Sequence, residues 1–143
     1  MNLHLPAGMK NEVDIIEKIL RESKTIAVVG LSSNPARPSY GVAAFLQRSG
    51  YRIIPVNPRE SEVLGEKAYA RLEDVPEKID IVDVFRRPSE VPPVADSAIA
   101  IGAKVLWLQL GVANEVAEKK AAEAGLIVVS EACLKVEAGM RRG

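Results

Sequence analysis

The chain has 143 residues, enough for one domain that buries roughly two-thirds of the surface exposed by the unfolded chain. Its 19 Lys and Arg residues balance its 19 Asp and Glu residues, so no overall positive charge would attract nucleic acid or an anionic membrane. The single cysteine, Cys133, excludes an intramolecular disulfide and a cysteine-based zinc cluster. No apolar run approaches the roughly 20 residues of a membrane span or the core of a signal peptide. We therefore expect a soluble, cytoplasmic protein without a metal site.

An amphipathic helix is predicted near the start of the chain, over residues 11–22. Asn11 could cap it, and its apolar stripe consists of Val13, Ile16, Ile19 and Leu20. We expect residues 1–23 to supply a helix that braces the sheet of a domain covering residues 24–143.

The remaining chain alternates between apolar runs and helical segments. Runs rich in Val, Ile and Leu predict five buried strands, at residues 25–30, 51–56, 79–85, 104–110 and 126–130. Helices are predicted between them at residues 39–49, with Ser39 as N-cap, 92–101 and 113–124. The crossover at residues 60–78 is irregular, and the tail after residue 131 predicts a short helix through Leu134 and Val136. This alternation indicates a single α/β domain, with a mostly parallel five-stranded sheet and helices on both faces.

The segment from Ile26 to Gly41 runs from an apolar strand through a polar turn into a helix. Such a turn is expected to present free backbone N–H groups, which bind phosphate. A dinucleotide fingerprint would need glycines where Ser32 and Pro35 stand, and an acidic residue where the second strand ends at Asn57. Arg59, which follows, suits an additional phosphate. These departures weigh against an NAD(P)-dependent oxidoreductase, which remains the alternative.

Ligands of open parallel sheets bind beyond the carboxyl ends of the strands. The loops predicted to meet there are residues 30–37, 57–59, 85–88 and 109–112. Arg37 would lie beside a pyrophosphate, and Arg86 or Arg87 would project toward the cleft, because both directly follow a buried strand.

Five stretches carry a resemblance to a known family, and they are Val29–Ser39, Gly50–Pro58, Val82–Arg86, Gly102–Val112 and Ala124–Val129, with Cys133 beyond them. Together they resemble the small, stand-alone CoA-binding proteins of the YccU-like group. The domain of that group is similar to the CoA-binding domain of the succinyl-CoA synthetase α subunit and of ADP-forming acyl-CoA synthetases. The resemblance covers nearly the whole chain after residue 23.

The resemblance implies a Rossmann-like domain with coenzyme A as its ligand. The first loop together with Ser39 would hold the CoA diphosphate, and residues 57–59 would lie beside the 3′-phosphorylated adenosine. Residues 85–87 and 109–112 would line the adenine and pantetheine path. The candidate binding residues are Gly30, Ser32, Ser33, Asn34, Arg37, Ser39, Asn57, Pro58, Arg59, Phe85, Arg86, Arg87, Gln109 and Gly111.

No catalytic residues are predicted. Ser32, Ser33 and Ser39 lack a histidine base, because the single histidine, His4, falls in a segment expected to be loose. For the same reason His4 is no counterpart of the phosphohistidine of the synthetases.

Three further side chains near the predicted strands are assigned structural roles. Asp80 and Asp83 have no metal-ligand cluster around them and are expected to make structural hydrogen bonds. Cys133 is expected to pack as a small hydrophobe, with a mixed disulfide to CoA as the alternative.

The sequence thus predicts a CoA- or acyl-CoA-binding module that acts as a carrier, sensor or regulator without catalysis of its own. Besides the oxidoreductase, a CoA-binding subunit that serves a separate acyl-CoA ligase remains an alternative. A homodimer and a partner enzyme are both left open, and neither nucleic acid nor a membrane is an expected partner.

Overall fold

A six-stranded sheet forms the centre of the protein. The computed structural model describes residues 1–10 and 14–142. In chain order the strands are β1 Asn2–His4, β2 Thr25–Val29, β3 Arg52–Val56, β4 Glu62–Val63, β5 Glu66–Lys67, β6 Ile81–Val84, β7 Val105–Leu108 and β8 Ile127–Ser130. The helices are α1 Ile15–Glu22, α2 Pro38–Arg48, α3 Val91–Ala100, α4 Glu115–Glu123 and α5 Leu134–Arg142.

The strand order explains where a ligand site can form. Across the main sheet the order is β1-β8-β7-β6-β2-β3, and β4 and β5 pair separately. The strands β2, β3, β6, β7 and β8 are parallel, which confirms the predicted mostly parallel sheet. From β2 the chain moves outward to β3 and then returns to β6 on the other side of β2. This reversal opens a crevice between the carboxyl ends of β2 and β6.

The N-terminal segment differs from the prediction. The sequence predicts five strands and a loose segment around His4, whereas Asn2–His4 pairs antiparallel with β8 and makes a sixth strand. Three residues, two of them polar, give no strand periodicity that a sequence pattern could reveal. The pairing depends on the open edge of β8, which exists only in the folded sheet.

Helices cover both faces of the sheet. On one face α1, α2 and α5 pack against a core that includes Ile26, Val28 and Trp107. On the other face α3 and α4 pack against a core that includes Ala27 and Leu106. Successive residues of each strand enter opposite cores, which explains why the strand sequences are continuously apolar.

Helix α1 begins later than predicted. The carboxylate of Asp14 caps it by accepting the backbone N–H groups of Ile16 and Glu17 at 3.1 and 3.2 Å. The predicted cap Asn11 and the stripe residue Val13 lie outside the described residues. The bounds of α2, α3 and α4 differ from the predicted ones by no more than two residues at either end.

The irregular crossover brings a second segment to the edge of the crevice. After the β4–β5 hairpin, Tyr69 donates its backbone N–H to Pro55 at 3.0 Å and accepts that of Asn57 at 2.8 Å. A short 3-10 turn follows at Leu72–Asp74. The segment therefore returns to the carboxyl end of β3, beside the point where the sheet order reverses.

Candidate functional site

A cavity of about 370 Å³, called here the main cavity, lies where the loops after β2, β3 and β6 meet. Its lining consists of Gly30, Ser32, Arg37, Pro38, Ser39, Asn57, Arg59, Glu60, Phe85 and Arg86. Three of the four loops predicted to converge are therefore brought together. The fourth, at residues 109–112, contributes no residue to this lining.

Gly30 allows the first loop to lie against the end of β6. Its φ is +88°, and its N–H donates to Val56 at 2.8 Å. A Cβ at this position would collide with the carbonyl oxygen of Phe85. Only glycine meets both conditions, because it tolerates positive φ and has no side chain to clash.

The backbone of the first loop is not free, contrary to the prediction. The N–H groups of Ser32, Asn34 and Ala36 donate to Ser39 Oγ, Ser32 Oγ and Asn34 Oδ1 at 3.1, 3.0 and 2.9 Å. The N–H of Ser33 donates to Glu60 Oε2 at 2.8 Å. The turn is thus held in shape by side-chain oxygens, which a sequence pattern for exposed amides does not reveal.

Ser39 has a different place from the one predicted. It lies inside α2, because the helix begins at Pro38 with Arg37 in the N-cap position and no side-chain cap. Its buried hydroxyl accepts the N–H of Ser32 and so joins the helix to the loop.

Asn57 connects the first loop to the second. Its Nδ2 donates to the carbonyl oxygen of Leu31 at 3.0 Å, and its Oδ1 accepts the N–H of Arg59 at 3.0 Å. The residue is buried, with 8% of its surface exposed. Asn57 therefore fixes the position of Arg59 relative to the loop after β2.

Arginines without an ion pair gather at the main cavity. Among the arginine side chains that the structure describes, those of Arg37, Arg48, Arg59 and Arg86 form no ion pair. Three of these four line the main cavity, and Arg48 lies elsewhere, at the end of α2. Uncompensated guanidinium groups that share a cavity favour a ligand with several negative charges.

Three candidate residues lie away from the main cavity. Arg87 is exposed and pairs with Glu90 at 2.8 Å, so Arg86 alone of the two reaches the lining. Gln109 is buried, and its Oε1 accepts the N–H of Leu134 at the start of α5. Gly111 donates its N–H to Glu131 Oε1 at 3.2 Å.

Ser33, Asn34 and Pro58 are exposed beside the cavities. Ser33 and Asn34 belong to the first loop but are outside the lining of the main cavity. Pro58 lines a neighbouring cavity of about 300 Å³, called here the second cavity.

The second cavity adjoins the main cavity, because Arg86 lines both. It is walled by β2, β3, α3 and the 3-10 turn, and its lining consists of Val29, Val56, Pro58, Ala70, Arg71, Leu72, Glu73, Arg86, Pro93, Val94 and Ser97. The Ser97 hydroxyl donates to Glu73 Oε2 at 2.9 Å and ties α3 to the turn. Sequence reasoning missed residues 70–73 and the α3 residues, since an irregular crossover gives no signal of where it returns.

The two aspartates near β6 behave differently. Asp80 accepts the backbone N–H groups of Lys24 and Thr25 at 2.8 and 3.0 Å, as predicted for a structural carboxylate. Asp83 is fully buried, and neither of its oxygens has a hydrogen-bond partner, so the prediction is wrong for this residue. Burial raises the pKa of Asp83 well above its usual range, because the charged carboxylate would be removed from water.

Other chemically reactive residues lie apart from the main cavity. The single histidine, His4, places Nε2 at 3.6 Å from Glu118 Oε1. Cys133 is half-buried and packs beside the core on the α5 side of the sheet. Within residues 1–10 and 14–142 no three His, Cys, Asp or Glu side chains group as metal ligands. None of the helices in this part of the chain has the length and hydropathy needed to span a bilayer.

The parallel sheet with its reversed strand order and glycine-containing first loop defines a Rossmann-like α/β protein. A family model described as a CoA binding domain matches residues 24–139. The chain therefore belongs to the CoA-binding domain family, and the resemblance drawn from the sequence motifs is confirmed.

Known proteins of two sizes are similar to this chain. The uncharacterized protein YneT of Bacillus subtilis (strain 168) is 46% identical over 121 residues, which are 85% of this chain and 90% of YneT. The subunit alpha of ADP-forming acetate–CoA ligase II from Pyrococcus furiosus is 40% identical over 57 residues. That match covers 39% of this chain and 12% of the ligase subunit.

The similar solved structures also include both small proteins and larger enzymes. A hypothetical protein from Pyrococcus horikoshii OT3 superposes with a TM-score of 0.89 at 41% identity and full coverage of both chains. A dinucleotide forming acetyl-coenzyme A synthetase 1 from Ca. Korarchaeum cryptofilum gives a TM-score of 0.68 at 26% identity. There the match covers 79% of this chain and 27% of the synthetase. The fold thus occurs both as a small protein and as one part of larger CoA-dependent enzymes.

Proposed function

We propose that this protein binds coenzyme A or an acyl-CoA at the crevice between β2 and β6. The observation that carries the proposal is the convergence of Arg37, Arg59 and Arg86 on the main cavity without carboxylate partners. In a chain of zero formal net charge, such a concentration of positive charge is local. CoA supplies matching negative charge through its diphosphate and its 3′-phosphate.

The two cavities suggest how CoA would lie. The first loop and Arg37 would hold the diphosphate, and Arg59 would reach the 3′-phosphate from the turn that Asn57 fixes. The second cavity, with apolar walls from Val56 and Leu72, would take the adenine. Arg86 would stand between the two parts of the ligand, since it lines both cavities.

As a binding module, the protein would act as a carrier, sensor or regulator of CoA-dependent metabolism. We assign it no reaction of its own, because the single histidine, His4, does not line the main cavity and so provides no base for its serines. The hydroxyls of Ser32 and Ser39 instead accept backbone N–H groups of the first loop.

Calorimetric titration with CoA, dephospho-CoA and NADP tests the proposal. We expect saturable binding of CoA that weakens roughly tenfold without the 3′-phosphate, because one charge-assisted contact is lost. Arg37→Ala should weaken CoA binding by a similar factor. Arg48→Ala removes an equally unpaired arginine outside the main cavity and should leave the affinity unchanged. Preferential binding of NADP would contradict the proposal and support the oxidoreductase alternative.

The similarity to the ligase subunit favours a second candidate, a CoA-binding subunit that serves a separate acyl-CoA ligase. In that case the protein should co-purify with a nucleotide-binding ligase chain and should stimulate CoA-dependent ligation when the two are mixed. Stable isolation alone, with CoA binding intact, would favour the independent module.

A further inference from the structure

A carboxylate already occupies part of the main cavity. Glu60 lines this cavity, and its Oε2 accepts the backbone N–H of Ser33 at 2.8 Å. The arginines of the same cavity form no ion pair with Glu60. The negative charge of Glu60 is therefore directed at a backbone donor of the first loop, while the guanidinium groups stay unpaired.

The backbone amide of Ser33 differs from the neighbouring amides in the kind of oxygen that accepts its hydrogen bond. The amides of Ser32, Asn34 and Ala36 donate to uncharged oxygens from the loop itself and from α2. Ser33 donates to a charged oxygen that belongs to another segment, the stretch between β3 and β4. An ionised acceptor makes the stronger hydrogen bond, so this amide is the point of the loop where an anion is held.

We propose that Glu60 is an internal competitor for the ligand diphosphate, an inference that rests on the proposed function. A phosphate oxygen takes over the N–H of Ser33, and the Glu60 carboxylate turns away from the cavity because the two anions repel each other. The amide remains paired before and after the exchange, so the loop keeps its shape. Glu60 thereby lowers the affinity for every ligand whose phosphate binds the Ser33 amide.

The test compares Glu60→Gln with Glu62→Gln. Glu60→Gln keeps an amide oxygen that can accept from Ser33 but removes the charge. Glu62 is exposed in β4, lies outside the main cavity and forms no ion pair among the described contacts, so its substitution is the matched control. We expect Glu60→Gln to bind both CoA and dephospho-CoA roughly tenfold more tightly than the unsubstituted protein. Glu62→Gln should bind both as the unsubstituted protein does.

Unchanged or weaker CoA binding by Glu60→Gln would overturn the competitor role. A gain for CoA without a gain for dephospho-CoA would overturn the assignment to the diphosphate, since the effect would then depend on the 3′-phosphate.

A titration with pyrophosphate distinguishes a failure of the competitor role from a failure of CoA as the ligand. In an NMR titration with pyrophosphate, the Ser33 amide resonance should respond at a lower concentration in Glu60→Gln than in Glu62→Gln. That response without any CoA binding would overturn CoA as the ligand and leave the competitor role standing. No difference between the two variants would overturn the competitor role itself.

Discussion

At the scale of single residues, Asp83 is the most unusual side chain of the core. It lies in β6 between Val28 and Trp107 of the neighbouring strands. Among the buried carboxyl groups that the structure describes, it is the one whose two oxygens both lack a hydrogen-bond partner. Because burial raises its pKa, the folded protein holds the proton of this carboxyl group to a higher pH than the unfolded chain does.

Asp83→Asn should therefore stabilise the protein at neutral pH. With a raised pKa in the folded state, stability is highest below the unfolded pKa of about 3.9 and falls as pH rises toward the folded pKa. The amide does not titrate, so we expect Asp83→Asn to have a higher free energy of unfolding than the unsubstituted protein at pH 7. Urea denaturation from pH 3 to pH 8 should show the two proteins converging at acid pH. A constant difference across this range would contradict the argument.

Asp80→Asn should give the opposite dependence. Partial burial raises the pKa of Asp80, but the hydrogen bonds from Lys24 and Thr25 and the charge of Lys104 outweigh it and lower the pKa overall. The contribution to stability is thus present above the unfolded pKa and is lost as pH falls through the folded pKa. We expect a loss of about 1 kcal/mol at pH 7 that disappears at strongly acid pH, measured by the same denaturation series.

Gly30→Ala tests the approach of the first loop to β6. The positive φ and the collision with Phe85 should together cost about 2 kcal/mol or more and weaken CoA binding. Gly41→Ala is the control, because a Cβ there meets no atom within 4 Å and lies in α2. This control should gain roughly 0.5–1 kcal/mol from helix propensity. Thermal melts and CoA titrations of both variants measure the difference.

At the scale of elements, the site depends on how separate loops are tied together. The Asn57 side chain bridges the ends of β2 and β3 through Leu31 and Arg59. The 3-10 turn and α3 are joined in the same way by Ser97 and Glu73. These links hold elements that are distant in the chain at fixed separations around the two cavities.

Asn57→Ala should weaken both the fold and the binding of CoA. The carbonyl of Leu31 loses its donor and the amide of Arg59 its acceptor, which should cost about 1–3 kcal/mol. The freed turn would no longer hold Arg59 at the main cavity, so the affinity for CoA should fall as well.

Asn114→Ala provides the comparison for Asn57→Ala. The Asn114 side chain also has one donated and one accepted bond, to Pro88 and from Ala117, and it caps α4. Its loss should cost about 1 kcal/mol of stability with no change in CoA affinity. Equal effects of the two substitutions on CoA affinity would show that Asn57 acts only through stability.

At the scale of the whole molecule, ligand binding and folding are coupled. The main cavity is built from loops after β2, β3 and β6, so only the folded chain presents it. CoA at a hundred times its Kd should raise the free energy of unfolding by about 2.7 kcal/mol and the Tm by about 10 °C. Differential scanning fluorimetry measures this shift. Arg37→Ala should show roughly half of it at the same CoA concentration, whereas Arg48→Ala should show all of it.

The sequence by itself determined the elements and the family. Apolar runs, glycines after helices and the alternation of strand and helix are local signals, so they predicted five parallel strands and the helices between them. The motif order was sufficient for the CoA-binding resemblance, because it depends on residues that are near each other in the chain. Among single residues, Gly30, Arg37 and Arg59 were placed at the first two loops by the same local reasoning.

The tertiary structure alone decided which of the predicted loops share a cavity. It placed Arg86 at the main cavity and Arg87 against Glu90, and it turned Gln109 toward α5. It added β1 to the edge of β8, and it brought Glu60 to the amide of Ser33. Each of these contacts joins residues that are far apart in the chain or depends on the direction of a side chain at a loop. Strand order and packing determine these contacts and side-chain directions, so a local pattern of residues does not predict them.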